Sequence, residues 1–203
     1  MSTFATTPSS STFSQALRRL YLIRFAFAIV WAGLLFATPN TTSLLLTVLL
    51  VIYPLFDAGA VLWQLRAERT AQRSNVTEWI NVAISVGVAI ALGIASTVSI
   101  DAALAVWGGW AIGSGIPQLI TAIRNRRSGG QVAQMLSGGI SVLAGGSFLT
   151  QGLQVNGNID GVGGYAILGG VFFLISAIRL SMVLRKTAAY AIRNDRTAPS
   201  GSA

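Results

Sequence analysis

The chain offers little that can do chemistry, and what it offers is concentrated in one place. Asp57 lies within "VIYPLFDAGAVLW" (51–63), a run otherwise without charge. It sits about eight residues from the nearer end of its apolar segment, or about 12 Å at 1.5 Å per residue. An unpaired carboxylate at such depth in hydrocarbon costs roughly 2.5–3.5 kcal/mol on insertion scales. It therefore calls for a partner, for water or for a proton. Arg24 lies about four residues inside the preceding apolar segment, on what would be the adjacent antiparallel helix, and Arg179 offers an alternative from the last segment. Two roles compete. An Asp57–Arg24 pair can lock two helices together, or Asp57 can bind a proton or cation in a polar cavity while Arg24 tunes its charge. A proton path needs a relay, and Asp101, Asp160, Glu68 and Glu78 all map to loops or segment ends. The structural pair is the simpler expectation.

Other chemistries are excluded by composition. With no Cys and no His among 203 residues, thiol catalysis, disulfides, Cys/His zinc sites and histidine general bases are all absent. No paired carboxylates, Ser/His/Asp constellation or metal cluster is present, so neither an enzyme activity nor a cofactor is expected. "GVGGYA" (161–166) loosely fits a dinucleotide fingerprint, but its glycines open an apolar segment rather than follow a strand.

The elements that must position Asp57 are membrane helices. Hydrophobic residues make up 53% of the chain and charged residues 10%, with mean hydropathy +0.65. A soluble domain carries about 25% charged residues. Six apolar segments, Leu20–Thr38, Ser43–Leu65, Trp79–Ile100, Ala102–Ile123, Val132–Leu153 and Val162–Leu184, each approach the ~20 residues needed to span ~30 Å of hydrocarbon. Backbone groups cannot remain unpaired in lipid, so these runs are expected to be helices. The fold class is all-α, a polytopic integral membrane protein with six transmembrane helices arranged as three tandem two-helix hairpins. Residues 1–17 and 187–203 read as a disordered tail and a flexible tail flanking a transmembrane domain over 18–186.

All 14 Lys and Arg fall on one side of this arrangement: before the first segment, between the second and third, between the fourth and fifth, after the sixth, or just inside those ends. The opposite connections carry none and include Asp101 and Asp160. The positive-inside rule then puts both termini in the cytoplasm. The net charge of +8 is accounted for by topology and by attraction to anionic lipid headgroups, so lipids are expected partners and nucleic acid is not.

The chain repeats itself. "GWAIGSGIPQLITAIR" (109–124) aligns without gaps on "GYAILGGVFFLISAIR" (164–179), with nine of 16 positions identical. The period of about 55 residues gives units over about 18–68, 77–127 and 131–186. All three start on the same side, so they are related by rotation about the membrane normal. Small residues recur at helical spacing. Ser85, Ala89 and Gly93 form one stripe, Ser141 and Gly145 another. Gly109 and Gly113 form a GxxxG, and Gly115 and Gly170 occupy matching places in the fourth and sixth segments. Lipid supplies no hydrophobic force between helices, so close backbone approach at such stripes supplies the packing. The partner across a stripe is either a helix of the same chain, a second copy, or another membrane protein.

Tandem Gly-rich hairpins of this size resemble the HdeD-like membrane proteins, also known by their short repeat DUF308. The resemblance rests on "RFAFAIVWAGLLFATPNTTSLLLTVLLVIYPLFDAGAVL" (24–62), with its leading basic residue, Gly-containing helix, Pro-containing turn, second helix and acid shortly before Gly. It covers about residues 18–186. Units two and three lack the Pro, and Gly113 and Leu168 stand where Asp57 would align. The resemblance implies a bacterial inner-membrane protein without an established molecular activity, linked in some members to acid and envelope stress. A small transporter or channel with a site near Asp57, and an accessory subunit of a membrane complex, are the alternatives.

Overall fold

A computed structural model describes residues 8–67, 76–124, 131–154 and 157–197. They form six helices: α1 (Pro8–Phe36), α2 (Leu44–Ala67), α3 (Val76–Val98), α4 (Ile100–Arg124), α5 (Gln131–Leu153) and α6 (Asp160–Thr197). No strand occurs among the described residues. Among the described residues, four stretches are long and apolar enough to cross a membrane: Ser14–Phe36, Leu44–Arg66, Trp79–Val98 and Asp160–Ala189. The helices α4 and α5 are not among them. Their sequences are richer in Gly, Ser and Gln, which lowers their hydropathy.

Two ends differ from expectation. The helix α1 begins at Pro8, inside the segment read as a disordered tail, and α6 continues to Thr197, through most of the segment read as a flexible tail. No Gly or Pro interrupts residues 9–32, and Ala-rich sequence follows Lys186 until Pro199. Once a membrane helix is nucleated, such sequence lets it propagate beyond the apolar run. The parts of those tails over 1–7 and 198–203 lie outside the described residues, as do Glu68 and the loop cations Arg69, Arg73, Arg126 and Arg127.

The bundle is turned inside out relative to a soluble one. Large apolar side chains face outward along its length, including Val30, Leu44, Ile90, Ile94, Val98 and Leu143. A soluble protein rarely leaves so continuous an apolar surface in water. Trp63 and Trp79 are exposed near the end that carries Arg18, Arg19, Arg66, Arg124, Arg185 and Lys186. Interfacial tryptophans beside cations fit a headgroup layer.

Helix pairing alternates around the ring. The closest pairs are α4 with α5, α1 with α6 and α2 with α3, whereas the members of each expected hairpin, α1 with α2, α3 with α4 and α5 with α6, are the looser neighbours. The tight seams thus cross from one sequence unit to the next. In the α4–α5 seam, Cβ atoms built on Gly108 and Gly145 would lie 2.6–2.7 Å from the facing backbone, and one on Gly115 would lie 2.9 Å from the Gly138 oxygen. Gly152 closes against Asp101 and Ala105 in the same way. Gly138, Gly145 and Gly152 are spaced by seven residues, as are Gly108 and Gly115. That spacing keeps a seam in register along two supercoiled helices. Antiparallel backbones touch here because no side chain holds them apart.

Interior packing divides the bundle into two halves. Away from the cationic end, Trp31, Leu35, Leu50, Leu104, Trp107 and Ile159 belong to one buried core. Trp31 stacks on Trp107 at 5.6 Å between ring centroids, and its Nε1 donates to the Leu49 carbonyl at 2.7 Å. Dispersion, rather than exclusion of water, is what such packing gains inside a bilayer. The far end is fastened by polar bonds. Asn40, in the α1–α2 turn, donates to the Gly157 carbonyl at 3.1 Å and accepts from the Ile159 amide, while the Gly157 amide donates to Asp101 Oδ1 at 2.8 Å. The half nearer the cations also buries Leu20, Leu65 and Ala122 but encloses a cavity.

Candidate functional site

The cationic half holds a partly open cavity of about 400 Å³ to which all six helices contribute. Its charged pair is Arg24 from α1 and Asp57 from α2. Arg24 Nη2 donates to Asp57 Oδ1 at 2.9 Å, and Ser85 Oγ, from α3, donates to Asp57 Oδ2 at 3.2 Å. This is the one ion pair among the described residues. The guanidinium also lies over the Phe173 ring of α6, 4.9 Å from its centroid. The aromatic contact orients Arg24 by cation–π attraction and covers one side of it. Side-chain exposure is 13% for Arg24 and 26% for Asp57, so the carboxylate is the more accessible member of the pair.

The opposite wall is neutral. Asn81 of α3, Ser114 and Gln118 of α4, and Ser137 of α5 supply amides and hydroxyls. Ser141 Oγ and the Tyr165 hydroxyl lie 2.8 Å apart, either able to donate, and join α5 to α6 across their loose contact. The floor, where the cavity meets the packed core, is aromatic: Tyr53 and Trp110 line the cavity, and both pack against Trp107. Apart from Tyr53 and Tyr165, the polar lining groups come from the cationic half of their apolar segments. The arrangement can bind, orient and hydrate a small solute. Among the described residues there is no group of three or more Asp or Glu able to hold a metal.

The residues singled out from the sequence separate cleanly in space. Asp57 and Arg24 meet. Arg179, the alternative partner, is exposed on α6 and forms no ion pair among the described residues. Ser85 lies in its small-residue stripe, yet its hydroxyl serves Asp57. Ala89 is buried, and a Cβ on Gly93 would make ordinary contact with Val51 at 3.5 Å, both within the α2–α3 seam. Ser141, Gly145 and Gly115 lie in the α4–α5 seam, and Gly170 faces Ala28 between α1 and α6. Gly109 and Gly113 meet no other helix of the chain: nothing among the described residues lies within 4 Å of a Cβ at either. Gly108, one residue earlier, makes the contact instead. The seven-residue glycine spacing, rather than GxxxG, is the signal for this seam. Asn40, Asp101 and Gly157 join only through loop geometry, for which the sequence carries no motif.

Residues 80–150 match the family model described as a short repeat of unknown function. This stretch is similar to the DUF308 repeat. The matched segment covers most of α3, all of α4 and most of α5, and so contains Gly108, Gly115, Gly138 and Gly145 of the tightest seam together with the neutral cavity wall. It does not include residues 24–62, where Asp57 and Arg24 reside. The ion pair is thus contributed from outside the matched repeat. No curated protein and no solved structure matches the chain.

Proposed function

We propose that the chain is a six-span bacterial inner-membrane protein of the HdeD-like kind, with both termini in the cytoplasm, that binds a small polar solute in its central cavity and catalyses no covalent reaction. The observation that carries this reading is the asymmetry of the interior: a polar cavity around Asp57 at the cationic end, backed by a packed aromatic and aliphatic core and a polar clasp at the other. A protein that only filled membrane space would have no reason to leave polar groups facing a void, since each costs free energy unless hydrated or bonded. Opening at the cationic face and closed by the core at the other, such a cavity would be the resting form of a transporter or solute-binding protein.

The same geometry supports six spans. Although α4 and α5 are less apolar than the other four helices, their glycines serve backbone contact and their hydroxyls and amides serve the cavity. They are flanked in the ring by helices apolar enough to span. The alternation of tight and loose neighbours is what rotation of one hairpin unit three times would generate. The family resemblance supports a role in acid or envelope stress.

Flux in liposomes tests the reading. Purified protein reconstituted in vesicles is expected to bind or pass small polar solutes, and Ser137→Phe, which plugs the cavity, is expected to abolish this while leaving the fold intact. Equal solute retention by wild type, plugged variant and empty vesicles, with no binding by dialysis, would refute it.

A further inference from the structure

We infer that the cavity selects solutes that are uncharged and rich in hydroxyl or amide groups, because Arg24 and Asp57 neutralise each other and leave no net charge to pair with a ligand. This rests on the solute-binding reading above and specifies its substrate class. The cavity lining contains one cation and one anion. Their side chains are 2.9 Å apart, and the second carboxylate oxygen already accepts from Ser85. The guanidinium is further occupied by the face of Phe173. A cationic solute would need Asp57 released from Arg24, and an anionic one the reverse. Either exchange leaves a protein charge unpaired in a poorly solvated site, which is the expensive outcome.

An uncharged solute avoids that exchange. Each Asp57 oxygen has lone pairs beyond the one bond it accepts, so the carboxylate can receive O–H or N–H donors while staying paired. The remaining polar groups suit such a molecule. Asn81 and Gln118 each both donate and accept, the Ser137 hydroxyl can rotate to do either, and Ser114 and Ser141, bonded to the Ala111 carbonyl and the Tyr165 hydroxyl, keep lone pairs that can accept. Tyr53 and Trp110 add flat apolar surface for the C–H faces of a polyol or small sugar. An uncharged ligand with many donors and acceptors matches all three walls.

The charge balance makes the test sharp. Protein in nanodiscs is dialysed to equilibrium against labelled glucose, erythritol, choline or benzoate, with Ser137→Phe as the blocked control and tryptophan near-UV dichroism reporting the fold. Wild type is expected to take up a neutral probe, lost in Ser137→Phe, and to discriminate against choline and benzoate by about tenfold or more. Asp57→Asn leaves Arg24 unbalanced and should gain benzoate. Arg24→Gln leaves Asp57 unbalanced and should gain choline. The double variant is neutral again and should return to the wild-type order, which keeps the test decisive if either single variant fails to fold. Wild-type preference for choline or benzoate, or a double variant that prefers a charged probe, overturns the substrate class while leaving solute binding in place. Folded wild type that binds none of the four overturns the solute-binding reading itself.

Discussion

Arg24 and Asp57 are separated by 33 residues in the chain and by 2.9 Å between Nη2 and Oδ1 in the folded protein. Their pairing fixes α1 against α2, a neighbour contact that is otherwise loose, and Ser85 ties the same carboxylate to α3. Removing one member strands the other. Breaking a fully buried pair costs about 3–5 kcal/mol, and cavity exposure of Asp57 lowers this to about 2 kcal/mol for Asp57→Asn or Arg24→Gln. The double variant should recover part of the loss, and a double-mutant cycle on thermal unfolding in detergent reads the coupling. Ser85→Ala loses one hydrogen bond to a charged group and should cost about 1–2 kcal/mol. Additive losses across the cycle would mean that the pair is not formed.

The α4–α5 seam predicts opposite outcomes for adjacent glycines. Gly108→Ala and Gly145→Ala place a Cβ within 2.6–2.7 Å of facing backbone, which cannot yield as a side chain does. Each should lower stability by about 1–3 kcal/mol through overpacking. Gly109→Ala and Gly113→Ala meet open space and should be neutral or stabilising by up to about 1 kcal/mol from helix propensity. Melting temperatures of the four variants in one detergent decide the matter. Similar losses at all four would place the seam elsewhere.

The clasp at the far end predicts a local effect. Asp101→Ala removes the carboxylate that accepts from the Gly157 amide, and Asn40→Ala removes both bonds between the α1–α2 turn and the α5–α6 connection. Both should accelerate amide exchange around Gly157 and Ile159 with little change in the Arg24–Asp57 region. Hydrogen-exchange mass spectrometry measures this directly. Unchanged protection in both variants would show that the clasp does not close this end.

Two buried tryptophans should differ. The indole N–H of Trp31 donates to the Leu49 carbonyl, whereas Trp107 Nε1 is buried without a hydrogen-bond partner among the described residues. Trp31→Phe loses a bond as well as volume. Trp107→Phe removes an unsatisfied donor along with the volume, so the two effects partly offset. Trp31→Phe should be the more destabilising by about 1 kcal/mol in thermal unfolding, and the reverse order would contradict the bond to Leu49.

Much of the fold is legible because membrane insertion writes it into composition. Each of the six apolar runs coincides with a helix, with ends displaced by a few residues except at the outer ends of α1 and α6. The meeting of Asp57 with Arg24 can be read because the cost of a lone charge in hydrocarbon leaves few partners to choose from. Pairing between helices is less legible. The repeat identifies sequence units, not which faces touch, and the tight seams run between units rather than within them. The GxxxG at Gly109 and Gly113 marks no seam within the chain among the described residues: four-residue spacing selects a face but not which neighbour lies against it, while the seven-residue series at Gly138, Gly145 and Gly152 marks an entire seam. The cavity itself is invisible in the sequence, since Asn81, Gln118 and Ser137 converge only after the ring closes.

Cysteine accessibility tests the central claim most directly, and the absence of native Cys gives it a clean background. Ser114→Cys places a thiol on the cavity wall, and Leu50→Cys places one in the packed core. Vesicles of both orientations are treated with a membrane-impermeant maleimide. A cavity that opens at the cationic end predicts labelling of Ser114→Cys from the face carrying the arginines, none from the opposite face, and none of Leu50→Cys from either. Labelling of Ser114→Cys from the opposite face, or from neither, would contradict a one-sided polar cavity and the solute-binding function built on it.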